Sequence, residues 1–284
     1  MYKLIALDMD GTLLKEDKSI SEENYIAIKK AKEKGVKVVL STGRPQKGIE
    51  KYLKELNLLS DEDYCVTYNG SVIQNTGTNE ILYKKLLTCE DAHYLYDLSK
   101  KLDINIHALT TTSCIAPKLT KYTELEVTMN GINFEEVDFA TLTDSTPIVK
   151  IMLIDEPEKL SEAIEKLPEE VYEKYTVVRS APFFLEFLDK TVNKGAGVKA
   201  LAESLGINQN EVICMGDAGN DLHMIKYAGL GVAMGNAFLE VKKAADYITY
   251  TNEDDGVAHV INKFILDSPN FFIEDDESEN DQAV

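Results

Sequence analysis

Apolar residues follow two rhythms along this chain. Residues 3–7, 36–40 and 64–68 are short apolar runs, too short for helices and set between polar punctuation, so they read as buried strands. Between them, Ser21 with Glu22 and Glu23 opens a helix that Gly35 stops, and Pro45 sits at the first position of another that ends near Leu56. Strand, helix, strand, helix, strand predicts an α/β fold with a parallel sheet and crossover helices. The alternation returns late, with helices predicted over 194–205, 221–228, 238–244 and 257–266 and strands over 212–215, 230–234 and 247–249.

The middle of the chain has a different rhythm. Strands over 104–109, 148–154, 175–178 and 183–188 alternate with helices over 90–102 and 158–167. This pattern predicts an open mixed or antiparallel sheet with helices on one face, inserted into the parallel domain. Residues 1–83 and 190–267 then form one domain, 84–189 form an inserted α+β domain, and 268–284 form an acidic, flexible tail.

Composition narrows the partners. The 284 residues are 44 % apolar and 28 % charged, ordinary for a globular protein and long enough to bury a core without disulfides or a structural metal. Thirty Lys and Arg stand against 49 Asp and Glu, a net charge of -19. Such a surface repels nucleic acid and anionic membranes, so neither is an expected partner. Any site for a phosphorylated ligand must carry its own cations. The four cysteines show no zinc-ligand spacing, no apolar run approaches membrane-spanning length, and the first residues lack a signal-peptide pattern. A cytoplasmic location is expected, and the oligomeric state is not legible.

Chemistry concentrates at four places, all at strand ends or helix starts. Asp8-Met9-Asp10-Gly11-Thr12 ends the first strand, and its two carboxylates can share a hard cation such as Mg²⁺. Ser41-Thr42-Gly43-Arg44 ends the second strand with a hydroxyl, a free backbone N–H and a helix start, the makings of an anion site. Lys194 heads a glycine-rich helix start and offers a compact charge for a phosphoryl oxygen or for crowded acids. Met215-Gly216-Asp217-Ala218-Gly219-Asn220-Asp221 follows a late strand, with two more acids and an amide. Taken singly, each has a bland reading: a solvated acidic turn, a helix cap, a surface lysine, a turn. Their joint occurrence in this order does not.

In that order the sequence resembles the haloacid dehalogenase superfamily of phosphohydrolases, and its Cof-type IIB branch in particular, because the insertion falls between the second and third motifs. The resemblance implies a Rossmann-like core with an inserted cap of type C2B. It implies that Asp8 attacks phosphorus to form an aspartyl-phosphate and that Asp10 acts as general acid and base. It places Mg²⁺ between Asp8, the Asp10 backbone carbonyl and Asp217, with Asp221 one step behind. Met9, Thr42, Gly43, Lys194 and Asn220 then hold the transferring phosphoryl group. The substrate it implies is a small phosphorylated metabolite, a sugar phosphate above all.

For the leaving group, the inserted domain offers two candidates. His107 shares a strand face with Asn105, opposite Ile104 and Ile106, and Glu186 stands among Phe184, Phe187 and Leu188. Arg44 and Asn69, at strand ends of the parallel domain, are better placed. A phosphomutase and a phosphoacceptor or binding module without turnover are the rival readings.

Overall fold

The computed structural model describes residues 1–267; the expected acidic tail lies outside the described residues. The first part of the chain forms β1 (Leu4–Leu7), α1 (Glu22–Glu33), β2 (Lys37–Ser41), α2 (Gln46–Glu55), β3 (Tyr64–Thr67), β4 (Val72–Asn75) and β5 (Ile81–Lys84). The middle forms α3 (Cys89–Lys101), β6 (Asn105–Thr110), β7 (Ser113–Ala116), α4 (Lys121–Asn130), β8 (Asn133–Glu136), β9 (Ile148–Ile154), α5 (Pro157–Glu165), α6 (Glu169–Lys174), β10 (Tyr175–Ala181) and β11 (Phe184–Asp189). The chain then returns as α7 (Lys194–Ser204), β12 (Val212–Gly216), α8 (Leu222–Tyr227), β13 (Leu230–Ala233), α9 (Leu239–Ala244), β14 (Tyr247–Ile248) and α10 (Gly256–Ile261).

One sheet of eight strands, ordered β14-β13-β12-β1-β2-β3-β4-β5, joins the two ends of the chain. It is parallel from β14 to β3, as expected, and β4 and β5 add an antiparallel edge that the apolar pattern did not announce. Every residue of β1 is buried because both sheet faces are covered. Ile5 and Leu7 enter the core beneath α1 and α10, while Leu4 and Ala6 pack toward α7. Ser21 caps α1 as expected. Pro45 is the residue before α2 rather than its first, since its extended ψ of 160° precludes a helical place. Among the described residues, no helix is long and apolar enough to cross a membrane.

The second sheet has six strands, ordered β10-β11-β9-β6-β7-β8, antiparallel except for β7 and β8. Ile106, Ala108, Ile151, Leu153, Leu185 and Phe187 on one face pack with residues of α3, α5 and α6. The expectation of helices on one face alone is corrected here. Helix α4 lies over the other face, with Tyr122 and Leu125 against Met152, Ile154 and Phe184. It escaped the apolar pattern because its buried positions, Thr123, Glu126 and Asn130, are polar. Helix α4 also meets the eight-stranded domain: a Cβ on Gly48 of α2 would stand 2.4 Å from Asn130 Oδ1.

Candidate active site

The carboxyl ends of β1, β2 and β12 and the first turn of α7 converge on one point, as ligand sites do in open α/β sheets. Asp8 extends β1 by one residue, its N–H donating to Met215 O at 3.0 Å, and is only 7 % exposed. The chain then turns away through Gly11 at φ +82°, a conformation that suits glycine. A Cβ there would also stand 2.5 Å from Asp217 Oδ2, so Gly11 lets the two acidic loops touch.

Asp217 follows β12 and accepts a hydrogen bond from Thr12 Oγ1 at 3.1 Å. Asp221 is fully buried and organises the loop: its Oδ2 accepts the N–H groups of Asp217 (2.9 Å) and Ala218 (3.0 Å). Lys194 opens α7, whose start is capped by the Asn193 side chain. Its Nζ donates to Asp221 Oδ1 at 2.6 Å and to Asp8 Oδ1, making a buried triad. Asp8, Asp217 and Asp221 offer oxygens that all lie within 4.8 Å of one another.

Charge governs this cluster. Burial, then Asp221, push Asp8 well above the usual carboxylate range, and Lys194 only partly opposes them. Burial and Asp221 likewise raise Asp217 to about 6. Burial acts to discharge Lys194, but Asp221 and Asp8 outweigh it and hold the ammonium protonated. Three hard carboxylates with one ammonium among them suit a small divalent cation, and their chemistry fits Mg²⁺.

Asp10 is expected to reach the metal through its backbone carbonyl, which leaves its carboxylate free, and that carboxylate turns to Arg44 Nη2 (2.7 and 2.5 Å) and Lys18 Nζ (2.8 Å). Burial works to raise it, yet Lys18 and Arg44 together hold it below the usual carboxylate range. Met9 fills the core with its side chain, while its carbonyl accepts the Thr12 and Leu14 N–H groups. Thr42 is buried at the end of β2 and its Oγ1 accepts the Arg44 N–H at 3.2 Å. Gly43 lies against Asn69, where an added Cβ would find the amide at 3.2 Å.

Asn69 and Tyr68 both have positive φ, which is uncommon for residues with side chains and is held here by contacts with the rest of the fold. From there Asn69 joins the two sheets. It accepts from Asn220 Nδ2 at 3.2 Å and donates to Glu186 Oε2 at 3.3 Å. Tyr68 likewise donates to Thr110 O at 3.1 Å. Glu186 also accepts from Lys150 Nζ at 3.0 Å. His107 stands on the same sheet face but is fully enclosed, its Nε2 3.1 Å from Met152 Sδ. Burial and then Lys150 hold its pKa down to about 3, so it is a neutral ring inside the inserted domain.

Sequence reasoning missed Thr12, which bonds Asp217, Lys18, which bonds Asp10, and Lys150, which bonds Glu186. Thr12 stood inside a quoted motif; the others carry no spacing signal, since each meets the site only through folding.

A buried aspartate–lysine pair at a strand end, beside an acidic cluster and with an inserted α+β domain, is the arrangement of a capped phosphatase of the α/β class. Residues 5–261 match the family of haloacid dehalogenase-like hydrolases, and the chain belongs to that family. It is 47 % identical over 270 residues to YxeH of Bacillus subtilis (strain 168), covering 94 % of this chain and 99 % of that one. It is 37 % identical over 265 residues to YcsE of the same organism, a 5-amino-6-(5-phospho-D-ribitylamino)uracil phosphatase, covering 93 % and 96 %. Among solved structures, the HAD subclass IIB sugar phosphatase BT4131 superposes with a TM-score of 0.77 at 25 % identity, covering 92 % of this chain and 98 % of that one.

Proposed function

We propose that this phosphatase hydrolyses small phosphomonoesters, sugar phosphates in particular, with Mg²⁺ and through an aspartyl-phosphate on Asp8. The single observation that carries the reading is the buried contact of Asp8 with Lys194 beside Asp217 and Asp221. Lys194 opposes the burial that favours the neutral acid at Asp8, and together with a bound divalent cation it would keep Asp8 ionised for attack and face the incoming phosphoryl oxygens. Asp8, Asp217 and, behind them, Asp221 would hold Mg²⁺, which offsets the anionic cluster and the substrate dianion. Thr42, the Gly43 N–H and Asn220 orient the phosphoryl group. Asp10 acts as general acid and base: once substrate has drawn Arg44 and Lys18 off its carboxylate and it has taken up a proton from solvent, it hands that proton to the leaving oxygen and then takes one from the attacking water. The lid excludes water from the aspartyl-phosphate until the alcohol has left.

Several observations weigh against the rivals. A phosphomutase needs cations in its lid for a second phosphate. The lone arginine of residues 84–189, Arg179, is spent on Pro157 O, Ser161 Oγ and Pro182 O. A phosphoacceptor module has no use for the inserted sheet or for Asp10. The phosphorylated ribityl compound that YcsE acts on is one specific candidate substrate, and the net charge of -19 speaks against nucleic acid. Hydrolysis of p-nitrophenyl phosphate with and without Mg²⁺ tests the reading, which fails if no Mg²⁺-dependent turnover appears.

A further inference from the structure

We infer that Glu186 of the inserted domain is a positioning residue for the phosphoryl group, not a contact for the alcohol, and that it acts through Asn69 on Asn220. The inference rests on the phosphoryl site of the reading above.

Glu186 lies on β11 opposite Met152 of β9, and Lys150, two residues along β9 on the same face, reaches it diagonally. Lys150, Glu186 and Asn69 are all buried. Lys150 Nζ donates to one carboxylate oxygen of Glu186 at 3.0 Å, and Asn69 Nδ2 donates to the other at 3.3 Å. Both oxygens are thus engaged within the protein.

That engagement sets the polarity of two amides. A carboxylate paired with an ammonium only accepts hydrogen bonds, so the Asn69 amide must turn its nitrogen to Glu186. Its oxygen then faces Asn220, whose Nδ2 donates to it at 3.2 Å. An amide nitrogen carries two hydrogens. With one spent on Asn69, Asn220 keeps the second for a phosphoryl oxygen, which accepts.

Asn69 also braces the other phosphoryl loop. Its N–H donates to Thr42 O at 2.9 Å, the Tyr68 N–H donates to Arg44 O at 3.2 Å, and Gly43 lies against the Asn69 amide. The loops that carry Thr42 and Asn220 therefore meet at a residue whose amide is set from the inserted domain. The phosphoryl site is complete only when that domain is seated.

Glu186→Gln tests this in the full chain with Mg²⁺. The side chain keeps its shape, but its amide can donate to Asn69 and no longer dictates which way Asn69 points. Lys150 still has the Glu126 carboxylate 3.9 Å away as a countercharge. The Kd for inorganic phosphate, read by calorimetry, should rise about tenfold. The kcat/KM should fall about tenfold for p-nitrophenyl phosphate and for ribitol phosphate alike. An unaltered phosphate Kd, or a loss confined to one ester, overturns the inference.

Asn69→Gly supplies the second arm, since glycine suits the φ of +55° and removes the amide. In that background Glu186→Gln should change the phosphate Kd by less than about twofold. A full tenfold loss there would mean that Glu186 does not act through Asn69, and overturns the inference. Phosphate binding and turnover are read separately. An unsubstituted chain that binds phosphate but shows no Mg²⁺-dependent turnover sinks the phosphatase reading, with the phosphate Kd still deciding the role of Glu186.

Discussion

Lys194 and Asp8 meet as a buried ion pair although 186 positions separate them. The pair lies at the junction of β1 and α7, and Asp221 joins it from a third element. Nucleophile, cation and acid are therefore held by the same packing that forms the core. Removing Lys194 leaves two buried carboxylates uncompensated. Lys194→Met should destabilise the Mg²⁺-free protein by about 3–5 kcal/mol, read from denaturant unfolding, and abolish turnover as well. A variant as stable as the parent would show that the pair is not the support inferred here.

Asp8→Asn separates chemistry from folding. The amide keeps the shape of the side chain and removes a charge that burial disfavours. Turnover of p-nitrophenyl phosphate should drop by about a thousandfold or more while the melting temperature holds or rises. Hydrolysis within about tenfold of the parent contradicts Asp8 as nucleophile.

The pH dependence of stability carries a definite sign. Asp217 is raised to about 6, so the folded Mg²⁺-free protein binds a proton that the unfolded chain has already released. Its stability should therefore fall as pH rises from about 4 to about 6, and Mg²⁺ should raise the melting temperature more at neutral than at acid pH. Asp217→Asn removes the repulsion, so it should flatten this fall and blunt the Mg²⁺ response. Calorimetry at two pH values, with and without Mg²⁺, checks both; an Mg²⁺ shift that is absent at neutral pH refutes them.

Gly11 is a point where one methyl group should matter. At φ +82° and with Asp217 Oδ2 2.5 Å from where a Cβ would go, Gly11→Ala must displace the acid loop or strain the turn. The expected result is a loss of about 1–3 kcal/mol in stability and a kcat lowered by about a hundredfold. Unaltered kcat would mean that the two loops move independently.

Contact between the lid and the parallel domain can be tested at Gly48. Its space against Asn130 is too small for any side chain, so Gly48→Leu should hold α4 away from α2. The kcat/KM should fall for every ester, by about tenfold or more, with little change in the melting temperature. A loss confined to one ester would place the effect in the leaving-group subsite instead of in closure.

Much of the molecule is written locally. The buried strands declare themselves through continuous apolar runs, since both sheet faces are covered, and Ser21 and Gly35 bound α1 by capping and backbone rules that need no partner. Asp8, Thr42, Lys194 and Asp217 were legible because each occupies a strand end or helix start, where sheet topology gathers ligands. Helix α4 and the hairpin of β4 and β5 were not, because their buried or exposed positions follow neighbours far away in the chain. Only the folded molecule decided that Asp10 faces Arg44 and Lys18, that His107 is sealed inside the inserted domain, and that Glu126, Lys150 and Glu186 share one buried cluster. Local rules set backbone conformation within a few residues. Which distant charges share one buried volume is a property of packing, because it depends on contacts between positions far apart in the chain.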